Sequence, residues 1–452
     1  MTLRNSTGGT AGRRNLRPIA SCLALLLATT FLHTGSALAA DYTAGGGVTN
    51  APSGFATAVG PSSSTQGIFA SAFGYSSNAT GNAAVAVGSL SGANGDNATA
   101  IGNAATATGL SASAFGDNAT ATGATATAAG AQASAIGASA SAFGNLAFAS
   151  GATATATGFQ SIASGAAATA TGATAFAFGN NATATGANSI ASGDFATATG
   201  QDSRATGQYA TATGMGSRAN GAAATTYGQG SVATGGNAVA LGASSNATGN
   251  LAIAVGNNAG ATGNAATAVG TFAFATGEGT VSLGTSANAN ATNATALGAG
   301  ATVSGTNSVA IGAGSVATAA NTVSFGTAGN ERRLTNVAAG VNATDAVNMS
   351  QISGITSGFQ SQIGSLQSQI GNNLTEARRG IAAAVAAASA PMPSAPGKTT
   401  WQVRGSAFHG EGGFGVGFAH RLKTAMPLTV VGGYGNGGGT EHTAYVGVGG
   451  EF

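Results

Sequence analysis

Glycine falls on every seventh residue from Gly60 to Gly284, 33 times without interruption, and Gly298, Gly305, Gly312 and Gly326 continue the same grid. A period this strict belongs to stacked units that each touch only their neighbours. Between glycines the residues alternate, as in Asn237-Ala238-Val239-Ala240-Leu241 and Leu251-Ala252-Ile253-Ala254-Val255. Alternation with period two is the signature of strands, while a helix needs about 3.6 residues per turn. Each heptad therefore reads as a strand of about five residues and a turn. Glycine is expected at the corner, where positive φ costs it no steric strain.

Large apolar residues recur every fourteen positions, at Val59, Phe73, Val87, Ile101 and Phe115, and again at Leu241, Val255, Val269, Leu283, Leu297, Ile311 and Phe325. Two strands thus make one coil of a parallel β-solenoid with an apolar side and a hydroxyl-rich side. In the apolar heptads neither face carries charge, so one face can fill the thin coil interior and the other pack on a neighbouring chain. About twenty coils at roughly 4.8 Å give a rod near 95 Å long. Between about residues 151 and 214 the bulky residues move to the other heptad class, at Phe148, Ile162, Phe176, Phe178 and Ile190, while Thr157, Thr171, Thr185, Thr199 and Thr213 take the former apolar slot. The reading at this level is a swap of which half-coil faces the core.

Composition narrows the chemistry. From Asp41 to Asn330 the charged side chains are Asp41, Asp96, Asp117, Asp194, Asp202, Arg204, Arg218 and Glu278. No basic patch is present to hold a nucleic-acid backbone. With neither histidine nor cysteine nor clustered carboxylates in that stretch, an enzyme is not expected, and no cofactor or metal is called for. His409, His420 and His442 fall on separate strands or turns near the end and read as rim residues. At the front, Arg4, Arg13, Arg14 and Arg17 precede the apolar run from Ile19 to Leu32, and Ala37-Leu38-Ala39 offers small residues for cleavage. Residues 1–40 read as a Sec signal peptide cut after Ala39 or Ala40. Its Cys22 is the chain's single cysteine, so disulfides cannot staple the rest. The Asn-Ala-Thr triplets at Asn78, Asn97, Asn118, Asn181, Asn246, Asn293 and Asn342 read as coil corners rather than glycosylation acceptors.

After Gly326 the grid stops and charge returns in the string from Gly326 through Glu331-Arg332-Arg333-Leu334 to Ile352. Preceded by Asn307-Ser308-Val309-Ala310-Ile311-Gly312, this string resembles the last head repeats and the neck of trimeric autotransporter adhesins of the YadA type. The resemblance implies a solenoid (β-roll) head over residues 41–326, a neck at 327–351, a coiled-coil stalk and barrel-entering helix at 352–390, and an outer-membrane anchor at 391–452. It implies a homotrimer on the bacterial surface. The stalk also follows from the residues. Ile352, Ile355, Phe359, Ile363, Leu366, Ile370 and Leu374 recur at spacings of 3, 4 and 4, an eleven-residue repeat that favours a weakly right-handed supercoil.

The last residues read as amphipathic strands. Phe414, Val416 and Phe418 alternate with Gly413, Gly415 and Gly417, which suits a lipid-facing barrel with a glycine-lined lumen. Four strands cannot close a barrel, since small barrels need about eight, and three chains supply twelve. The terminal Phe452 resembles the aromatic end of outer-membrane proteins.

The expected function is that of an adhesin, exported through its own barrel with the help of the membrane's barrel-assembly machinery and attaching multivalently to host matrix, cells or surfaces. Asn307, Ser308, Val309, Ala310, Ile311, Gly312 and Ser315 resemble head repeats that contact matrix in the family, and they are the candidate ligand-binding set. Arg332, Arg333 and Asp345 are expected in interchain ion pairs. The rival readings are a purely structural solenoid and an ice-binding one, the latter because Thr153, Thr155 and Thr157 could form part of a hydroxyl grid.

Overall fold

The computed structural model describes residues 41–51 and 55–451. The signal-peptide reading and Phe452 fall outside these residues. Two compact units part between Arg332 and Arg333.

The first unit is a parallel β-solenoid whose coil is fourteen residues long, as the register Thr155↔Thr169↔Thr183 shows. Each full coil gives one strand to each of two sheets, of 21 and 20 strands, and Val323–Ser324 ends the first sheet without a counterpart among the described residues. The strands are shorter than the sequence suggests. Those of the first sheet hold three residues, as in Val239–Leu241, and those of the second hold two, as in Asn246–Ala247. The turns consume the difference, because each corner needs four residues closed by a backbone bond such as Ala168 N to Gly165 O at 3.1 Å.

The corners divide the role given to glycine: every second grid glycine, such as Gly158 (φ 130) and Gly172 (φ 130), takes positive φ as expected, while the alternate ones, such as Gly165, do not. The residue in the left-handed helical region lies two positions after each grid position and usually has a side chain, as at Asn97 (φ 58), Asn118 (φ 54), Asn181 (φ 55) and, after Ala291, Asn293 (φ 55). Asparagine tolerates that region through local hydrogen bonding. The triplets at Asn97, Asn118, Asn181 and Asn293 are thus corners, whereas Asn78 and Asn246 lie in strands. Glycine at the grid position answers to crowding throughout, and at alternate positions to positive φ as well. A Cβ on Gly256 (φ +132) would sit 2.5 Å from the carbonyl oxygen of Gly270, and one on Gly165 would overlap that of Gly179 more deeply still.

Alanine fills the interior. Ala154, Ala156, Ala168 and Ala170 are wholly buried, while Thr155 and Thr157 point outward between them. The alternation therefore sorts methyl groups inward and everything larger outward, which brings the two sheets close together. Val303 is the largest fully enclosed side chain among the described residues. Where serine takes an inner position it turns back on its own corner, as Ser189 Oγ does in donating to Gly186 O at 2.8 Å. Stability comes from repeating this unit many times, because each coil buries little apolar surface by itself.

The heptad-class change between 151 and 214 is not a swap of the half-coil facing the core. Alanines of both sheets stay buried through it, including Ala156, Ala163, Ala170 and Ala177. What moves is the outer apolar stripe, which passes from the first sheet to the second.

Corner and interior positions separate by mutation. Ala104 (φ 53) is left-handed and partly exposed, so Ala104→Gly should keep stability within about 0.5 kcal/mol of wild type, because relieved strain offsets lost rigidity. Ala105→Gly, one residue on and fully buried, should cost about 1–2 kcal/mol through a lost methyl and added chain entropy. Thermal unfolding followed by circular dichroism checks the pair, and equal losses would sink the corner assignment.

The second unit holds α1 (Met349–Ala386), 38 residues long, and four antiparallel strands at Thr399–Phe408, Glu411–Arg421, Leu428–Asn436 and His442–Gly450. Asn348 caps the helix and Gln351 completes a capping box. The strands pair in chain order as a meander.

Candidate functional site: outer faces of the head, neck and anchor

On the first sheet most coils turn at least one apolar residue outward, such as Phe73, Val87, Ile101, Ile253, Val255, Leu283 and Leu297, often beside a serine or threonine such as Ser71 or Thr99. In the middle stretch they become two columns of threonine. Thr155, Thr169, Thr183, Thr197 and Thr211 form one, and Thr157, Thr171, Thr185, Thr199 and Thr213 the other. Thr153 is a left-handed corner (φ 57) and belongs to neither column. On the second sheet the matching coils carry Phe148, Ile162, Phe176 and Ile190 in a single register, followed by Arg204 and Arg218. Phe176 and Phe178 stack with centroids 5.7 Å apart.

The candidate ligand-binding segment divides by the same alternation. Ser308, Ala310 and Ser315 are fully buried inside the coil, so a ligand cannot reach their side chains. Ser308 Oγ donates to Ala319 O at 2.6 Å, and Ser315 Oγ donates to Ile311 O at 2.7 Å. Gly312 (φ +107) lies beneath the Arg332 side chain. Asn307, Val309 and Ile311 remain outward. Asn307 joins a corner ladder, accepting from Asn293 Nδ2 at 3.0 Å and donating to Asn321 Oδ1 at 3.2 Å. The repeat pattern held this division in its parity, with alanine marking the inner residue.

Arg332 closes the end of the solenoid. Its guanidinium donates to Ser315 Oγ and Phe325 O at 2.7 Å and to Ala313 O at 2.5 Å, which satisfies carbonyls the next coil would otherwise take. In the second unit Asp345 accepts from the backbone N–H of Val341 at 2.9 Å and of Asn342 at 2.8 Å. Two of the three charges expected in interchain pairs, Arg332 and Asp345, thus spend hydrogen bonds within the chain. Gln351 adds a clamp, accepting from Gly340 N at 2.9 Å and donating to Gly340 O at 3.0 Å.

The backbone N–H groups of Asn342 and Val341 hold the Asp345 carboxyl below its usual range. A depressed folded pKa makes the contribution to stability complete above the unfolded value near 3.8 and lost as pH falls through the lower folded value. Hydrogen exchange at the Val341 and Asn342 amides should therefore show protection at neutral pH that fades only below that range. Asp345→Asn should lack this pH dependence.

Along α1 the predicted seam is bare in the single chain. Ile352, Ile355, Phe359, Ile363, Leu366, Ile370 and Leu374 are between 45% and 62% exposed. Farther along, Ala382, Ala383 and Ala386 are buried against the sheet. The surface they meet is made of glycine. A Cβ on Gly413 would stand 2.6 Å from Ala382 O, one on Gly417 2.6 Å from Ala388 O, and one on Gly415 would overlap Ala386 O. Gly433 and Gly435 crowd Ala387 O and Ala383 O in the same way. Arg379 pairs with Glu411 at 2.9 Å beside this contact. On the opposite face Phe414, Val416, Phe418, Val446 and Val448 are exposed. No described helix is long and apolar enough to cross a membrane, which leaves strands out of account.

The histidines are occupied locally. His420 Nδ1 meets Thr399 Oγ1 at 2.7 Å, His442 Nδ1 meets Tyr434 OH at 2.6 Å, and His409 stands at a hairpin corner (φ 47). Among the described residues no three groups of metal-ligating type gather.

Comparison with known proteins matches two families. The coiled stalk of trimeric autotransporter adhesin matches residues 333–375. The YadA head domain repeat matches in eleven overlapping or adjacent stretches between residues 54 and 328, which together cover more than half of the chain. Autotransporter adhesin NhhA of Neisseria meningitidis serogroup B is 34% identical over 87 residues, 19% of this chain and 14% of that protein. The chain thus aligns with only a small part of that relative. The crystal structure of the collagen-binding domain of Yersinia adhesin YadA is 27% identical, covering 46% of this chain and 86% of that domain with a TM-score of 0.23.

Proposed function

This chain belongs to the YadA-type trimeric autotransporter adhesins, and on that premise we propose that three copies assemble into one surface adhesin exported through its own anchor. The domain scheme is a signal peptide at 1–40, a head at 41–326, a neck at 327–351, a stalk and barrel-entering helix at 352–390 and an anchor at 391–452. The single observation that carries the assembly is the terminal sheet, with four strands, two unpaired edges, a glycine face against its own helix and an apolar face turned outward. Open edges are not tolerated in lipid, so the sheet must close with other copies. Three chains give twelve strands around three helices. Placing the anchor in the outer membrane follows from the same lipid-facing surface, after Sec export and with help from the barrel-assembly machinery.

In this reading the stripe from Ile352 to Leu374 is the trimer seam of the stalk. The first sheet, which carries most of the outward apolar residues of the head, faces the two partner chains. The second sheet and the corners face outward and bind. Three heads make weak contacts additive through avidity. The similar YadA domain is a collagen-binding one, and we place this head in the same class, with extracellular matrix protein as its ligand. The reading involves neither catalysis nor a cofactor. The threonine columns lie on the sheet we turn toward the trimer axis, which disfavours ice binding.

Cells displaying the full chain should bind immobilised collagen or another matrix protein, and cells expressing an Ile363→Asp variant, with its stalk seam broken, should lose binding at least tenfold. Equal binding by cells that lack the chain would reject the adhesive role. Wild-type protein that crosslinks as a monomer would reject the assembly.

A further inference from the structure

We infer that the second-sheet column from Phe148 to Arg218 is a docking site for an extended polypeptide segment, apolar along one half and acidic along the other. The inference rests on the outward orientation given to that sheet above. Phe148, Ile162, Phe176 and Ile190 follow one another on paired strands, and Arg204 and Arg218 continue the same column. From residue 64 to residue 134 the equivalent positions hold serine, asparagine, glycine and threonine, at Ser64, Asn78, Gly92, Thr106, Thr120 and Ser134, with Val48 the one apolar residue before them. An apolar run of four coils on a water-facing sheet is therefore a local departure from those coils, its side chains half-buried against one another, and a continuous apolar surface marks a contact.

The arginines identify the occupant. They are the only cations between residues 41 and 330, in a stretch that also holds six carboxylates. Like charges on directly paired positions disfavour each other, yet Arg204 and Arg218 are register partners. Both are exposed, and the one ion pair among the described residues, Arg379 with Glu411, lies elsewhere. A ligand that brings carboxylates to this pair relieves the repulsion that Asp202, a corner residue two before Arg204, leaves in place, since the two do not form an ion pair. Five coil steps of about 4.8 Å make a track of about 24 Å, which an extended segment of about seven or eight residues spans.

The test uses the full-length protein in detergent and fluorescence anisotropy of the labelled peptide Ser-Leu-Thr-Leu-Thr-Leu-Gly-Glu-Gly-Glu beside its lysine-for-glutamate counterpart. The acidic peptide should bind at least tenfold more tightly, with the preference falling as salt rises. The double variant Arg204→Gln/Arg218→Gln and the single variant Phe176→Ser should each weaken it at least tenfold. Thr183→Ser, on the other sheet, should not. All these side chains point away from the alanine core, and circular dichroism confirms folding. Equal affinity for both peptides, or binding indifferent to the column variants, overturns the site. Sedimentation separates this failure from that of the reading beneath it. If Phe176→Ser dissociates the trimer, the column is a subunit seam and the outward orientation falls as well, whereas intact trimers that bind neither peptide reject the docking site alone. Pairing of wild-type trimers through this column, without peptide binding, assigns it to a second copy and overturns the inference.

Discussion

Gly165→Ala is expected to destabilise the head by at least about 3 kcal/mol, beyond the usual cost of one methyl too many in a packed core. The added carbon would overlap the carbonyl oxygen of Gly179 in the next coil, and backbone cannot move aside as a side chain can. The coils above and below repeat the same contact, as Gly151 does with Gly165 and Gly179 with Gly193, so a local shift passes to its neighbours. The informative control is Gly216→Ala. Gly216 has φ +65 with nothing within 4 Å of a built Cβ, so only conformational strain opposes alanine there and gained chain rigidity offsets most of it, leaving under about 1 kcal/mol. Thermal unfolding gives the ranking, and limited proteolysis locates the opening, which nearest-neighbour coupling should confine to coils around residue 165. Equal losses in the two variants would mean that corner strain, not stacking distance, governs the glycine grid.

The second large effect lies in the anchor. Gly415→Trp should abolish the heat-modifiable trimer on unheated gels and reduce head exposure at the cell surface at least tenfold, because even a Cβ there overlaps Ala386 O of α1. An indole cannot be seated without expelling the helix from the sheet. Val416→Leu, on the exposed face one residue on, should change assembly little, since surface substitutions usually stay within about 0.5 kcal/mol. Full head display in Gly415→Trp cells would show that the helix need not occupy the glycine face, and export through the barrel would lose its structural support.

Much of this architecture was legible because its signals are local and repeated. The fourteen-residue coil needed only the glycine grid and the alternation, and the stalk needed only the spacing from Ile352 to Leu374. In the anchor, Phe414, Val416 and Phe418 against Gly413, Gly415 and Gly417 told one face from the other. The candidate ligand segment was less legible. Its motif ran straight through Ser308, Ala310 and Ser315, and a motif does not announce which of its members point inward.

The sequence by itself determined the period and the strand parity, because backbone geometry ties each to the spacing of residue types. Tertiary structure decided which side of the alternation became core. Alanine won because the two sheets approach too closely for valine or phenylalanine at most inner positions, a distance that no single heptad encodes. It also decided why glycine recurs. At Gly165 the constraint is the carbonyl of Gly179, fourteen residues away in the chain and adjacent only once the coils stack, while the left-handed turn falls to Ala167 (φ 54) two residues on. The passage of the apolar stripe to Phe148, Ile162, Phe176 and Ile190 likewise gained meaning only when both sheets were in place, because parity fixes inside and outside while stacking fixes which outer face each residue occupies.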